Sequence, residues 1–264
     1  MHALGGIWHQ RSLLLQLWKR DFAARYKSGI LGITWAFINP LLMLALYSFV
    51  FVIVFKMRWG SGPDVQGNFV ILLFTGLIVH GFFAEFITRA PILVSANVSY
   101  VKKVVFPLEL LPLVPLLGAA INFMVGIVLV LALLFYLQGA VPTTIFLLPA
   151  IVLPYALLVL GVSYFLSATG VFVRDLTHLV GIVSTVAMFA SPILFPMENV
   201  PPAYRPILYA NPLTVIVEQL RDIAVLGIVP DWRVTAAYSL VALIVFLLGF
   251  GWFQATRKGF ADVL

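Results

Sequence analysis

The chain has 264 residues, of which 62% are hydrophobic and only 10% are charged, and its mean hydropathy is +1.09. Soluble domains carry about a quarter charged residues, so this composition excludes an ordinary soluble fold and predicts an integral membrane protein. The net charge of +6 does not indicate nucleic-acid binding, because the basic residues flank apolar segments, as membrane topology requires. The absence of cysteine excludes disulfides, thiolate metal sites and cysteine nucleophiles.

The first predicted element is a basic helix within Leu4–Lys27. Its apolar face holds Leu15, Trp18, Phe22 and Tyr26, and its opposite face holds Gln16, Arg20, Ala23 and Lys27. This pattern is typical of a helix that lies on a membrane surface. The basic residues of this region interrupt the compact apolar core that a cleavable signal peptide needs, so we expect the first span to be an uncleaved anchor.

Six apolar segments are each long enough, at about 20 residues, to cross a bilayer as a helix. They are Ile33–Phe55, Phe69–Ile87, Leu110–Tyr136, Thr144–Val173, Leu176–Phe195 and Val234–Phe253. Their pattern does not alternate, which favours helices over the strands of a membrane barrel. We therefore predict one all-α membrane domain, with an interface helix at 1–32, six spans within 33–253 and a tail at 254–264.

The distribution of positive charge predicts the orientation of these spans. If the N-terminus is cytoplasmic, eleven of the sixteen Lys and Arg residues fall in cytoplasmic segments and five fall outside. Cytoplasmic loops carry the excess of Lys and Arg in membrane proteins. Both termini are therefore expected in the cytoplasm.

The link between the second and third spans, Arg89–Glu109, is long and lies inside in this topology. Ser95 or Asn97 is placed to cap a short helix that runs through Tyr100 to Lys103. The polar surface of this link comprises Ser95, Asn97, Ser99, Tyr100, Lys102 and Lys103. Such a surface, held by two stiff helices, suits contact with a soluble partner. A purely topological role for the two lysines stays open.

The link between the fifth and sixth spans, Met197–Arg233, lies outside and predicts two short helices. One begins at the prolines near Pro202–Tyr209 and the other follows Asn211. Both are too apolar for free solvent and too interrupted to span, so we expect a re-entrant hairpin at the outer edge of the membrane. Glu218 and Arg221 have the i, i+3 spacing of an ion pair that would stiffen the second helix.

The chain contains none of the usual catalytic or nucleotide-binding motifs. It has no GxxxxGK[ST], so ATP-driven work requires another polypeptide. None of its histidines has a second histidine at a helical ligand spacing, so no metal site is expected. His80 and Glu85 share the second span, where they indicate either a proton relay or a polar contact between helices. We therefore assign a catalytic role to no residue of this chain.

Aromatic residues are abundant, with 22 Phe, 9 Tyr and 6 Trp. Their faces can stack on the C–H faces of sugar rings without fixed hydrogen bonds, which would let a polymer slide. The aromatic residues within spans that we assign to such a glycan channel are Tyr47, Phe51, Phe82, Phe83, Phe86 and Phe189. Helix packing and contact with lipid remain the alternative for each of them.

Three stretches occur in a consistent order and on consistent sides of the membrane. The first comprises Arg20-Asp21, Arg25-Tyr26 and GILGITWAFINP at Gly29–Pro40. The second is ANVSYVKKVVFPLELLP at Ala96–Pro112, and the third is NPLTVIVEQLRD at Asn211–Asp222. In these stretches the chain resembles the membrane subunit of ABC exporters for cell-surface polysaccharides, the O-antigen, capsule and teichoic-acid group. The EAA motif of importer subunits is missing from the inner link, which favours export.

The resemblance implies a homodimer of six-span subunits in the bacterial inner membrane, exporting a lipid-linked polysaccharide. Each copy would dock on a separate cytoplasmic ATPase that holds ATP and Mg, so this chain would hold no cofactor. By the same resemblance, Ala96–Val105 is a coupling helix, Leu4–Lys27 an interface helix and Pro202–Gly227 a pair of outer gate helices. The outer gate residues are Tyr204, Tyr209, Asn211, Glu218 and Arg221.

The basic helix suggests where the lipid end of such a substrate would bind. Arg20, Arg25, Tyr26 and Lys27 are the candidates for contact with its phosphate, although attraction to the anionic headgroups of membrane lipid also explains these cations. The residues leave open two other classes, an ATP-independent secondary transporter or flippase and a structural membrane anchor. They also leave open which polymer travels and whether a periplasmic or outer-membrane protein receives it.

Overall fold

The computed structural model describes residues 10–26, 32–56, 65–102 and 106–264. Within these ranges the regular structure is helical and contains no strand, which confirms the all-α prediction. The α-helices are α1 (Arg11–Tyr26), α2 (Trp35–Ser48), α3 (Val65–Arg89), α4 (Val98–Val101), α5 (Leu113–Gln138), α6 (Leu148–Phe172), α7 (Leu176–Phe189), α8 (Arg205–Tyr209), α9 (Pro212–Arg221), α10 (Trp232–Thr256) and α11 (Phe260–Val263). Two π-helical segments, Phe49–Val54 and Asp222–Leu226, extend α2 and α9.

Among the described residues, four stretches are long and apolar enough to cross a membrane. They are Phe69–Ile92, Leu108–Gln138, Thr143–Phe172 and Trp232–Val263, and they match the second, third, fourth and sixth predicted spans. The first and fifth predicted spans are shorter apolar helices, Trp35–Phe51 and Leu176–Phe189.

The fifth predicted span, Leu176–Phe195, is not helical throughout. Helix α7 ends at Phe189, and the chain turns through the residues that follow. Pro192 lies in this turn and has no backbone N–H to donate, so the helix cannot continue through it unbroken. The turn therefore presents backbone carbonyls to the protein interior, where a side chain from α9 binds them.

Helices α6 and α10 form the most extensive helix pair, and two glycines bring their backbones into contact. A Cβ atom on Gly161 would lie 2.5 Å from the Phe246 Cα, and one on Gly249 would lie 2.0 Å from the Gly161 carbonyl oxygen. Only residues without a side chain fit at this crossing. Small residues at helix crossings are the usual means of close packing in membrane proteins.

Helix α1 packs on protein through Leu17, which is not among the residues assigned to its apolar face. Leu17 is buried against Leu110 and Val114 at the start of α5, whereas Leu15 is 48% exposed. Leu13, Leu14 and Trp18 pack beside Leu17 in the same cluster. The helix itself was predicted correctly. Which of its residues would pack on protein was not predicted, because the apolar surface at the start of α5 selects them and periodicity within α1 does not reveal them.

Contacts between elements that are distant in sequence define two ends of the helix bundle. At the first, which we call the inner end, α1 lies against the start of α5, and Arg257 after α10 forms an ion pair with Glu109 before α5. At the second, the outer end, the Thr144 hydroxyl donates a 2.6 Å hydrogen bond to the Ile223 carbonyl beyond α9. Helix α9 is itself buried against α3 and α6, because its apolar residues Leu213, Ile216, Val217 and Leu220 are at most 1% exposed.

Candidate functional site

A cavity of about 930 Å³ lies between α1, α2, α3 and α5, with Met188 of α7 on its wall. Its polar lining consists of Asp21, Asn39, Tyr47, His80, Glu85, Arg89 and Asn122. Its apolar lining includes Trp35, Met43, Phe82 and Phe123. The lining thus combines hydrogen-bonding groups with aromatic and aliphatic surface, which suits a ligand that has both polar and C–H faces.

An ion pair closes the inner end of this cavity. The Arg89 guanidinium donates to both Asp21 carboxylate oxygens, at 2.7 Å and 3.2 Å. Two parallel bonds between a guanidinium and a carboxylate combine strength with fixed geometry. The pair therefore fastens the middle of α1 to the last residue of α3.

Further along the cavity, polar contacts brace α3 against two other helices. The Asn122 amide of α5 donates to the Glu85 carboxylate at 2.8 Å. The His80 ring nitrogen lies 3.0 Å from the Ser184 carbonyl oxygen of α7. His80 and Glu85 thus contact different neighbouring helices, as the packing interpretation of these residues expects.

The segment Ala90–Lys102, which we call the coupling segment after the role predicted for it, forms other side-chain hydrogen bonds than those predicted. The Ser95 hydroxyl donates to the Ile92 carbonyl at 3.2 Å, and the Asn97 amide donates to the Leu93 carbonyl at 2.9 Å. Neither side chain caps α4, so the capping prediction is wrong. Short polar side chains often bond the carbonyl three or four residues back instead.

Helix α4 ends at Val101, earlier than predicted, and Lys103 lies outside the described residues. Ser99 and Lys102 are exposed, and Ser95, Asn97 and Tyr100 are half-buried. The predicted polar surface is therefore accessible at these described positions. Its contact with a partner stays a prediction.

Tyr100 joins the coupling segment to α1. The Arg20 guanidinium donates a 2.6 Å hydrogen bond to the Tyr100 hydroxyl, and its central carbon lies 5.4 Å from the centre of the ring. The same ring stacks on Phe106, with centroids 4.2 Å apart and planes 11° apart. From the sequence, Arg20 is a candidate for contact with a lipid phosphate and Tyr100 for contact with a partner protein. The structure brings the two side chains together.

The base of the coupling segment is held by α6 and α10. A Cβ atom on Gly170 of α6 would lie 2.2 Å from the Pro91 carbonyl oxygen, so the two backbones touch. The Tyr164 hydroxyl donates to the Glu109 carbonyl at 2.7 Å, and the Glu109 carboxylate accepts from Gln254 at 2.9 Å and from Arg257. The start of the coupling segment and the residues that follow it are thus firmly packed on α6 and α10.

The six predicted channel aromatics separate into three groups. Tyr47 and Phe82 line the cavity, and Phe51 stacks on Tyr47 with centroids 6.1 Å apart. Phe83 and Phe86 are buried in the helix core, with 6% and 0% exposure. Phe189 is 58% exposed on α7. The channel role of all six stays a prediction, and only the first group has the cavity beside it.

At the outer end, Asn211 organises the start of α9. Its side-chain oxygen accepts from the Leu213 N–H at 3.0 Å, which caps the helix. Its amide nitrogen donates to the Ala187 and Ala190 carbonyls, at 2.7 Å and 3.0 Å, where α7 ends. Asn211 therefore ties two helix ends together, whereas Tyr204 and Tyr209 are exposed.

Arg221 lies at the end of α9 and is only 3% exposed. It pairs with Glu218 at 3.1 Å, as the spacing predicted. It also donates to three backbone carbonyls, those of Leu72 at 3.0 Å, Pro192 at 2.6 Å and Ile193 at 3.0 Å. Burial lowers the pKa of Arg221 to about 10, which leaves the guanidinium charged at neutral pH.

Several residues that matter in this arrangement are not among the candidates predicted from the sequence. The contacts of Asp21, Arg89 and Phe106 could not be predicted, because the partner of each is not a neighbour in sequence. The acidic Asp21 beside Arg20 in a basic helix was the one local signal. Of the remaining candidates for lipid phosphate, the side chains of Arg25 and Tyr26 and the whole of Lys27 lie outside the described residues.

Comparison with known proteins supports a transport assignment. The model of the ABC-2 type transporter family matches residues 12–225. The chain is 27% identical over 254 residues to the O-antigen export system permease protein RfbA of Klebsiella pneumoniae, covering 96% of this chain and 95% of that protein. It is 28% identical to the protein of that name from Myxococcus xanthus, covering 97% and 96%. It is 23% identical to the polysialic acid transport protein KpsM of Escherichia coli, covering 97% and 98%.

Proposed function

Because this chain belongs to the ABC-2 type transporter family, we propose that it is the membrane subunit of an ATP-driven exporter of a lipid-linked polysaccharide. The names of its relatives, which handle O-antigen and polysialic acid, support a polysaccharide substrate. ATP would bind to a separate ATPase chain, because this chain has no P-loop. Two copies of the chain would form the path across the bacterial inner membrane.

In this proposal all six apolar helices cross the membrane. Helix α2 together with its π-helical extension covers residues 35–54. At about 1.5 Å per residue this helix reaches about 30 Å, the thickness of a bilayer core. Helix α7 is shorter, and the turn after it would complete the crossing with its carbonyls held by Arg221. Irregular backbone is permissible at membrane depth where protein satisfies it in this way.

The observation that carries the proposal is the contact between Arg20 and Tyr100. It puts the predicted ATPase-binding surface in direct contact with α1, which in turn borders the cavity through Asp21. A push on the coupling segment would therefore reach the wall of the cavity through one side-chain contact. The chain supplies a path and moving parts, and the partner supplies the free energy of ATP.

The substrate would enter from the inner end. Its lipid phosphate would approach Arg25 and Lys27, which lie close together in sequence, because phosphate is attracted to clustered cations at the membrane surface. Its sugar rings would pass the cavity wall at Tyr47 and Phe82. Asn39 and Asn122 would exchange hydrogen bonds with sugar hydroxyls there.

A reconstitution experiment tests the function. The chain is co-expressed with a candidate ABC ATPase and purified by a tag on the chain alone. ATP hydrolysis, and export of polysaccharide by cells that carry the pair, are then measured. Association, hydrolysis and ATP-dependent export are expected together.

The matched variant carries Tyr100→Ala with Lys103→Glu, which alters the proposed docking surface. It is expected to lose ATPase association while the membrane fold persists. Export that continues when the ATPase is inactivated in its nucleotide site would instead favour an ATP-independent transporter.

A further inference from the structure

Helix α3 connects the two functional ends of the protein. Its last residue, Arg89, leads directly into the coupling segment, and its outer half contains Leu72. The helix has 25 residues and no internal proline, so it is a rod of about 37 Å. Leu72 lies about 25 Å along this rod from Arg89. A displacement of the coupling segment must therefore move the outer half of α3 as well.

Arg221 binds the outer half of α3 through hydrogen bonds. Its guanidinium donates at once to Leu72 of α3 and to Pro192 and Ile193 in the turn after α7. Each nitrogen of the guanidinium has an acceptor, and the residue is only 3% exposed. Removing a buried charge from its hydrogen-bond acceptors is strongly unfavourable. The end of α9, the turn and α3 are therefore constrained to move together.

The surface of α3 is shaped for this guanidinium. A Cβ atom on Gly76 would lie 3.2 Å from the Arg221 Nη2 and 3.1 Å from the Ile193 Cγ2. Even a methyl group at this position would press on the charged group and on the turn that it binds. Glycine at position 76 thus lets the three elements approach closely.

We propose that Arg221 makes the outer gate helix α9 follow α3, so that a displacement of the coupling segment by the ATPase is transmitted to the outer end. This inference rests on the proposed function, in which the coupling segment docks on an ATPase. Arg221 acts as a positioning residue, because it moves a gate and does not touch substrate.

A second connection between the two ends competes with this one. Gln219 of α9 donates a 2.9 Å hydrogen bond to the Thr235 hydroxyl of α10. Helix α10 reaches the inner end, where Arg257 pairs with Glu109. However, α10 does not continue into the coupling segment. Gln219 is therefore the matched control, a buried polar side chain on the same helix that points to a different partner.

The test measures movement of the outer end. Cysteines replace Ile207 of α8 and Tyr136 of α5, which are 64% and 83% exposed, in a chain that has no other cysteine. Helix α8 follows α9 because the Thr214 hydroxyl donates to the Leu208 carbonyl at 2.6 Å. Spin labels on the pair report its distance with the ATPase holding ADP and with it holding a non-hydrolysable ATP analogue. Unlabelled copies are mixed in excess, so that one copy in each assembly carries labels.

The parent pair is expected to change its distance when the nucleotide changes. Arg221→Leu is expected to lose more than half of this change and to consume more ATP for each polymer exported. Gln219→Leu is expected to keep the change, since Thr235 still bonds the Asp231 carbonyl at 3.0 Å. Both variants should bind the ATPase as the parent does.

Gly76→Ala keeps the test decisive if Arg221→Leu fails to fold. It leaves Arg221 in place but disturbs the surface of α3 that its guanidinium contacts. It is expected to reduce the distance change as Arg221→Leu does, but by a smaller amount. A full distance change in Arg221→Leu, or in Gly76→Ala when the first variant does not fold, would overturn this inference and leave the proposed function standing. An equal loss in Gln219→Leu would also overturn it. A parent that binds no ATPase, or shows no nucleotide-dependent change, would overturn the proposed function and this inference with it.

Discussion

The Arg20 guanidinium and the Tyr100 hydroxyl are 2.6 Å apart, although 80 residues of chain separate them. This hydrogen bond joins the N-terminal helix to the coupling segment without passing through a membrane span. The stacking of Tyr100 on Phe106 orients the phenol for it. Each of the following predictions concerns a contact of this kind, one that links distant parts of the chain.

The first prediction concerns this bond itself. Arg20→Gln and Tyr100→Phe each remove it, and each should lower the free energy of unfolding by about 1 kcal/mol, the usual net value of a hydrogen bond. Because both variants remove the same interaction, the double variant should cost less than the sum of the two. Thermal unfolding in detergent measures the stability, and export in cells measures the function. Additive effects would show that the two residues act independently.

The second prediction concerns the ion pair at the inner end of the cavity. Asp21→Arg and Arg89→Asp each place like charges opposite one another and should destabilise the attachment of α1 to α3. The exchanged double variant restores opposite charges and should recover most of the lost stability, about 1 kcal/mol for a partly exposed pair. Limited proteolysis near α1 reports the detachment. A double variant no better than the worse single variant would contradict the prediction.

The third prediction concerns the crossing of α6 and α10. Gly249→Ala introduces a methyl group where the Gly161 carbonyl oxygen is only 2.0 Å away. It should cost about 1–3 kcal/mol, as overpacking does, or prevent folding. Gly251→Ala on the same helix is the control, because a Cβ atom there meets nothing within 4 Å. The yield of monodisperse protein and its melting temperature should fall for Gly249→Ala only.

The fourth prediction separates cavity aromatics from core aromatics. Tyr47→Leu with Phe82→Leu changes the cavity wall and should reduce polymer export. Stability should fall less than in Phe86→Ala, because leucine refills most of the space of Phe82, which lines the cavity but is only 4% exposed. Phe86→Ala removes a fully buried ring and should lower the free energy of unfolding by about 3–5 kcal/mol, mainly by leaving a void. Export is compared at equal amounts of folded protein. Unchanged export in the cavity variant would show that these two rings do not guide the polymer.

Local patterns predicted the helices well and their ends less well. The long apolar runs correspond to α3, α5, α6 and α10, because hydrophobic length is a property of a single stretch. Asn211 precedes Pro212 and opens α9 as expected, because a cap involves only neighbouring residues. Ser95 and Asn97 were misjudged as caps, because each side chain can either accept from a backbone N–H ahead of it or donate to a carbonyl behind it, and that choice depends on how the segment folds back.

The sequence by itself determined the class of the protein, the positions of its helices and the Glu218–Arg221 pair. All of these follow from composition, hydrophobic length and spacing along one helix. Only the tertiary structure decided that Leu17 rather than Leu15 is buried. It also decided that Arg20 binds Tyr100 and that Arg221 donates to the Leu72 carbonyl. Each of these choices depends on which surface is presented by a segment distant in sequence, and packing in three dimensions creates that surface.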